Sequence, residues 1–205
     1  MTAYRRLRVP GGTYFFTLAL ERRGASTLVD HIDLLRAAWA ATARERPFVT
    51  EAVVVLPDHL HAVWRLPEGD VDFSTRWGAI KARFTRGVRA RVEGMGGDED
   101  GVEPHPTGAR GGTRRMGFHP IMDIPNPRAI PFRPTTPSKR RKGDAGLWQR
   151  RFWEHWCRDE ADVARCVRYC WVNPVKHGFV ARPADWLWSS IHRDIRVGRV
   201  DAGWS

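Results

Sequence analysis

Two runs of β-forming residues, Phe48 to Leu56 and His59 to Leu66, stand on either side of a lone Pro57-Asp58 pair. Proline fixes its own φ and aspartate bonds its own backbone, so the pair reads as a turn and the two runs as antiparallel strands. No other feature restricts the fold as much. Val53-Val54-Val55 predicts burial on both faces of the first strand. In the second, alternation sorts residues by face: Leu60, Ala62, Trp64 and Leu66 point one way, His59, His61, Val63 and Arg65 the other. Upstream, Tyr14 to Leu20 follows a Gly11-Gly12 turn signal and reads as a strand, and Asp30 is placed to cap a helix through about Arg44. Downstream, Asp72 or Ser74 opens a helix to about Arg91 with Phe73, Trp77, Ile80, Phe84 and Val88 on its apolar stripe and Arg76, Arg83 and Arg86 off it. Strand, helix, strand, strand, helix asks for one more strand, and the alternating region Leu147 to Cys157 is its candidate. The predicted class is α+β, a ferredoxin-like split βαβ sandwich with an antiparallel sheet.

A last helix is expected from Asp159 or Glu160 to about Asn173, because Pro174 follows and disfavours helical backbone before it. Val163, Val167 and Cys170 centre its apolar stripe, and four-residue spacing puts Tyr169 and Asn173 together on one flank. His177-Gly178 reads as a chain reversal, and residues 179–205, with Asp185 to Ser190, as a C-terminal docking tail. Between the second helix and the last strand, residues 94–146 break every periodicity. This Gly/Pro/Arg-rich stretch reads as a low-complexity insertion in one domain spanning 1–205. Its acids (Asp98, Glu99, Asp100, Glu103) come first, whereas Arg128 to Arg151 carries eight Lys and Arg against Asp144 alone. The second half reads either as a backbone-phosphate contact or as a solvated linker with no role of its own.

A formal charge of +11 makes a polyanion the expected partner. Nucleic acid is favoured over membrane, since no apolar run nears the roughly 20 residues needed to cross a bilayer. Thr13 to Leu20 is too short, and Glu21-Arg22-Arg23 follows where a signal peptide would carry small residues, so a cytoplasmic, nucleoid-associated location is expected. Three cysteines make no disulfide framework, and Cys166 and Cys170 read as small buried hydrophobes, with metal ligation the competing role. Most of the ten tryptophans must serve the core.

His59-Leu60-His61 on a strand aims two imidazoles at one face, and Asn173 adds an amide oxygen beside the Tyr169 phenol. Together they suit a cation and a nucleophile for phosphorus. Neither string is specific alone: His-x-His is common on polar strand faces, and a helical tyrosine is usually a core-rim residue. Imidazoles by themselves suggest zinc, whereas an amide oxygen and water also admit magnesium or manganese. A non-catalytic hairpin-binding protein and a metal phosphohydrolase are the competing readings.

Five ordered blocks carry a resemblance. They are Leu56-Pro57-Asp58-His59-Leu60-His61, Lys81-Ala82-Arg83-Phe84, Trp148-Gln149-Arg150-Arg151-Phe152-Trp153-Glu154-His155, Tyr169-x-x-x-Asn173-Pro174-Val175-Lys176-x-Gly178, and Asp185-Trp186 with Ser189-Ser190. The sequence resembles the REP-associated tyrosine transposases, within the HUH single-tyrosine transposases of small insertion sequences. The resemblance implies a ferredoxin-like fold, His59, His61 and Asn173 as ligands of magnesium or manganese, and Tyr169 as nucleophile. It also implies cleavage and rejoining of single-stranded DNA at palindromic hairpins through a 5′-phosphotyrosine. Lys81, Arg83, Arg150, Arg151 and Lys176 are expected DNA contacts, in a monomer or homodimer. Cys170 and Trp171 stand where relatives often carry isoleucine and histidine, and the resemblance leaves 94–146 outside the usual pattern.

Overall fold

The computed structural model describes residues 7–95, 132, 146–201, 203 and 204. Its elements are β1 (Thr13–Ala19), α1 (Thr27–Asp30), α2 (Ile32–Glu45), β2 (Val49–Val55), β3 (His59–Arg65), α3 (Phe73–Met95), β4 (Trp153–Cys157), α4 (Glu160–Lys176), a 3-10 turn (Pro183–Asp185) and α5 (Ile191–Arg196). The sheet order is β2-β3-β1-β4, every neighbouring pair antiparallel. This is the expected split βαβ arrangement, with the first strand inserted between the third and fourth.

The two sheet faces follow the side-chain period of two. Tyr14, Phe16, Leu18, Leu60, Ala62 and Trp64 point toward α2 and α3, where Trp77, Ile80, Phe84 and Val88 of α3 are fully buried. Trp77 stacks on Trp64 at 3.9 Å and 14°, with Phe16 and Trp39 edge-on to it. Removing so large and enclosed a ring leaves a cavity that neighbouring rings cannot fill. Trp77→Ala is therefore expected to cost about 3–5 kcal/mol, read as a lowered urea midpoint at unchanged slope. The opposite face carries Phe15, Thr17, His59, His61 and Val63, and α4 lies across β1, β2 and β3 there.

Aspartate side chains cap two of the helix starts. Asp72 accepts from the Thr75 amide at 3.0 Å and so caps α3, and Asp159 accepts from the Asp162 amide at 2.7 Å to start α4. Asp30 does not cap α2. It lies in the short α1, bonded to the Ser26 hydroxyl, and α2 starts after His31 without a side-chain cap.

The last strand is shorter than the alternation predicted. Leu20 pairs with Trp148 and Thr17 with Trp153, so four residues of one chain segment face two of the other and bulge out of register. Lys81 of α3 holds this bulge, donating to the Gln149 carbonyl at 2.9 Å and lying over the Trp148 and Phe152 rings. The last helix is longer than predicted: it runs through Pro174 to Lys176. Proline removes one ladder bond, to the Cys170 carbonyl. The turn still closes, with the His177 and Gly178 amides bonded to Asn173 and Val175 and the Phe179 amide to the buried Pro174. Residues 186–190 run along the β2 edge, linked through Val55 N to Trp188 O and Ser190 N to Val53 O. Among the described residues no helix is long and apolar enough to cross a membrane. The residue pattern Asp98 to Glu103 and the basic residues Arg128, Arg133 and Lys139 to Lys142 lie outside the described residues.

Candidate active site

β3 delivers His59 and His61 to the face beneath α4, both buried. Each ring has its Nδ1 engaged. His61 Nδ1 lies 2.9 Å from the hydroxyl of Thr17, its cross-strand partner, and His59 Nδ1 lies 2.6 Å from Asp58 Oδ1. Both rings are thus held through Nδ1 by fixed neighbours.

Asp58 is itself held by the Gly24 amide at 2.8 Å and by Arg23 at 3.3 Å. Burial would raise its carboxyl, but the bonds from His59 and Gly24 and the Arg23 charge outweigh it and hold the group below the usual range. Asp58→Asn keeps the shape but weakens the grip on His59. A fall of about 10–100-fold in metal affinity is expected, measured by titration calorimetry.

Burial first, then the positive fields of His59, His177 and Lys176, lowers His61 to about 3. Its ring is therefore neutral at physiological pH and keeps its lone pair. His177 is lowered as well, by burial and then by His59. The His177 ring stands 5.1 Å from His59, and His59 stands 5.2 Å from His61, so three imidazoles line one end of the site.

α4 brings the other groups. Asn173 is 1% exposed, and its Oδ1 has no hydrogen-bond partner among the described residues. Buried polar atoms are rarely left so, and an orphan acceptor on the helix covering two oriented imidazoles is a fitting third donor for a cation. One helical turn earlier, Tyr169 is 38% exposed. Its ring meets His61 edge-on at 5.1 Å and Phe15 at 5.5 Å, and the Lys176 ammonium lies 4.8 Å above it. A partly exposed tyrosine ring thus adjoins the His61 ring and a cation, one helical turn from an orphaned amide oxygen. Such a set can hold a metal-bound phosphate and attack it.

Of the four residues expected at the site, His59, His61 and Tyr169 have neighbouring rings, and Asn173 lies buried one turn beyond Tyr169 on the helix that covers this sheet face. The expected DNA contacts divide. Arg150, Arg151 and Lys176 are exposed. Lys81 is spent on the β4 bulge, and Arg83 donates to Thr42 at 2.6 Å and pairs with Glu45 of α2. Arg76 is buried, binding Asp70 and the Arg46, Pro47 and Asp72 carbonyls. Sequence reasoning missed Thr17, Asp58 and His177. Asp58 adjoins the His-x-His string and His177 follows Asn173 at helical spacing, but in the sequence the first has the signature of a turn and the second of a chain reversal.

A ferredoxin-like sheet with a His-x-His strand, under a helix bearing a tyrosine and an asparagine, is the arrangement that the resemblance to the HUH single-tyrosine transposases implies. No family model matches the chain. It is 34% identical over 205 residues to the REP-associated tyrosine transposase of Escherichia coli K12, covering 100% of this chain and 92% of that protein. A Haemophilus influenzae protein described under the same family name is 33% identical over 204 residues, covering 100% of this chain and 93% of its own length. A solved structure of a REP-associated tyrosine transposase bound to a REP hairpin is similar with TM-score 0.69 and 33% identity, over 100% of this chain and 92% of that one. The chain belongs to the REP-associated tyrosine transposases, enzymes that cleave and rejoin DNA. The matched span takes in 94–146, which the sequence blocks had left out.

Proposed function

We propose that this chain is a metal-dependent endonuclease and strand transferase for single-stranded DNA, acting at repetitive palindromic hairpins through Tyr169. The observation carrying this reading is the exposed Tyr169 ring 5.1 Å from His61, on the same helix as the orphaned Asn173 Oδ1. Family membership and a relative of known structure bound to a REP hairpin support the substrate class.

His59, His61 and Asn173 are assigned as ligands of magnesium or manganese, which when bound draws charge from a non-bridging phosphate oxygen. The Tyr169 oxygen forms the new bond to phosphorus as the bond to O3′ breaks. The phenolic proton is lost to solvent, and the leaving oxygen departs as a 3′ hydroxyl. The phosphotyrosine conserves the phosphodiester's free energy, so a second 3′ hydroxyl reverses the step without ATP. Lys176 supplies positive charge beside the nucleophile, and exposed Arg150 and Arg151 are assigned to the DNA backbone. Lys81 and Arg83 already bond within the fold, to the Gln149 carbonyl and to Thr42 and Glu45.

The test is a REP hairpin with a labelled single-stranded flank and manganese. A protein–DNA adduct that survives denaturing electrophoresis, with a free 3′ hydroxyl on the other product, is expected. A shifted band with no cleavage would leave a binding protein only.

A further inference from the structure

Beyond the active site, a second cluster of metal-binding side chains joins β4 to α4. His155 and Cys157 alternate on β4 and so share a face, and Cys166 reaches them from α4. One ligand atom from each lies within 4.8 Å of the others, a unique grouping of three or more His, Cys, Asp or Glu among the described residues. The two sulfurs are 3.8 Å apart. Thiolates each bound at about 2.3 Å to one tetrahedral zinc ion stand about 3.8 Å from one another, nearly twice the length of a disulfide bond.

A buried carboxylate completes the arrangement. His155 Nε2 lies 3.0 Å from Asp162 Oδ2, and Asp162 is buried and held by the Arg158 amide and the Arg158 and Arg165 guanidinium groups. A carboxylate on one ring nitrogen is the usual outer partner of a metal-bound histidine. A thiol pair serving only as packing has no need of the imidazole or of that carboxylate. Two thiolates and a neutral imidazole cancel a dication's charge, so the ion can sit half-buried without net charge.

We infer that His155, Cys157 and Cys166 form a zinc site separate from the His59, His61 and Asn173 set. The donor types separate the two: soft thiolates select zinc over magnesium and manganese, whereas an amide oxygen accepts the harder ions. Cys166 is three residues before Tyr169, so the ion clamps the nucleophile's helix to the edge strand. Its role is to position Tyr169 rather than to touch substrate. Cys170, one turn further, is fully buried and stays an apolar packing residue.

The test uses the full-length, reduced protein and cobalt(II) as a spectroscopic stand-in for zinc. One equivalent of cobalt is expected to give thiolate-to-metal charge-transfer and tetrahedral ligand-field absorption, displaced by one equivalent of zinc but not by magnesium. The half-buried Cys166→Ser and His155→Ala variants should lose the charge-transfer intensity or shift it, whereas His59→Ala/His61→Ala should keep it. Zinc should also raise the wild-type melting temperature, a readout free of any folding defect in the variants. Reduced wild-type protein that gives no charge-transfer band at one equivalent would overturn the inference. So would a band unchanged in Cys166→Ser, or a Cys157–Cys166 disulfide forming in protein that binds no zinc.

Discussion

Tyr169→Phe is expected to abolish the covalent protein–DNA adduct and reduce hairpin cleavage by roughly 10⁴–10⁶-fold, the scale set by removing a nucleophile from other enzymes. Hairpin affinity should stay within about 2-fold. The substitution takes away one oxygen and leaves the ring, whose contacts with His61, Phe15 and Lys176 hold the flank of α4 together. Stability should also hardly change, because the position is partly exposed and removal of its hydroxyl opens no cavity. Single-turnover cleavage and a binding isotherm on the same preparation check both halves. Binding lost in proportion to cleavage would mean that the phenol reads DNA instead of attacking it.

The parts of this architecture that the sequence made legible are those written in a short period. Alternation along His59 to Arg65 gave the face of every residue in β3 correctly, since a strand's side chains have only two directions. The stripe of α3 and the shared flank of Tyr169 and Asn173 were read the same way. What stayed hidden depends on partners distant in the chain. Lys81 and Arg83 lie off the apolar stripe, as exposed cations do, but β4 and α2 return to them with a carbonyl, a hydroxyl and a carboxylate. Arg76 likewise gave no sign that four oxygens would enclose it.

Pro174 hid the most. Local sterics favour ending a helix before proline, yet here only one backbone bond is lost and the buried ring is retained in the core. Those three extra residues carry Lys176 over the Tyr169 ring and set His177 beside His59. The cation beside Tyr169 and the third imidazole thus depend on a helix continuing where its local sequence argues for a stop. His155, Cys157 and Cys166 show the same limit, because a strand pair and a helical cysteine become one cluster only when α4 is laid against β4.

Asn173→Leu is expected to separate stability from function. In a group kept for structure, deleting a buried amide costs stability because its partners are left unpaired. Asn173 Oδ1 has no such partner among the described residues, so its burial is a net cost to the folded chain. A leucine of similar volume removes that cost. The variant should therefore match the wild type or exceed it by about 1 kcal/mol in urea denaturation without metal. Cleavage should fall by at least about 100-fold, since disturbing only the outer partners of a metal ligand already costs about 10–100-fold. Stabilisation by manganese, expected in the wild type, should shrink in the variant as affinity is lost. A destabilised Asn173→Leu protein that still cleaves hairpins would instead make the amide a structural group and remove it from the metal site.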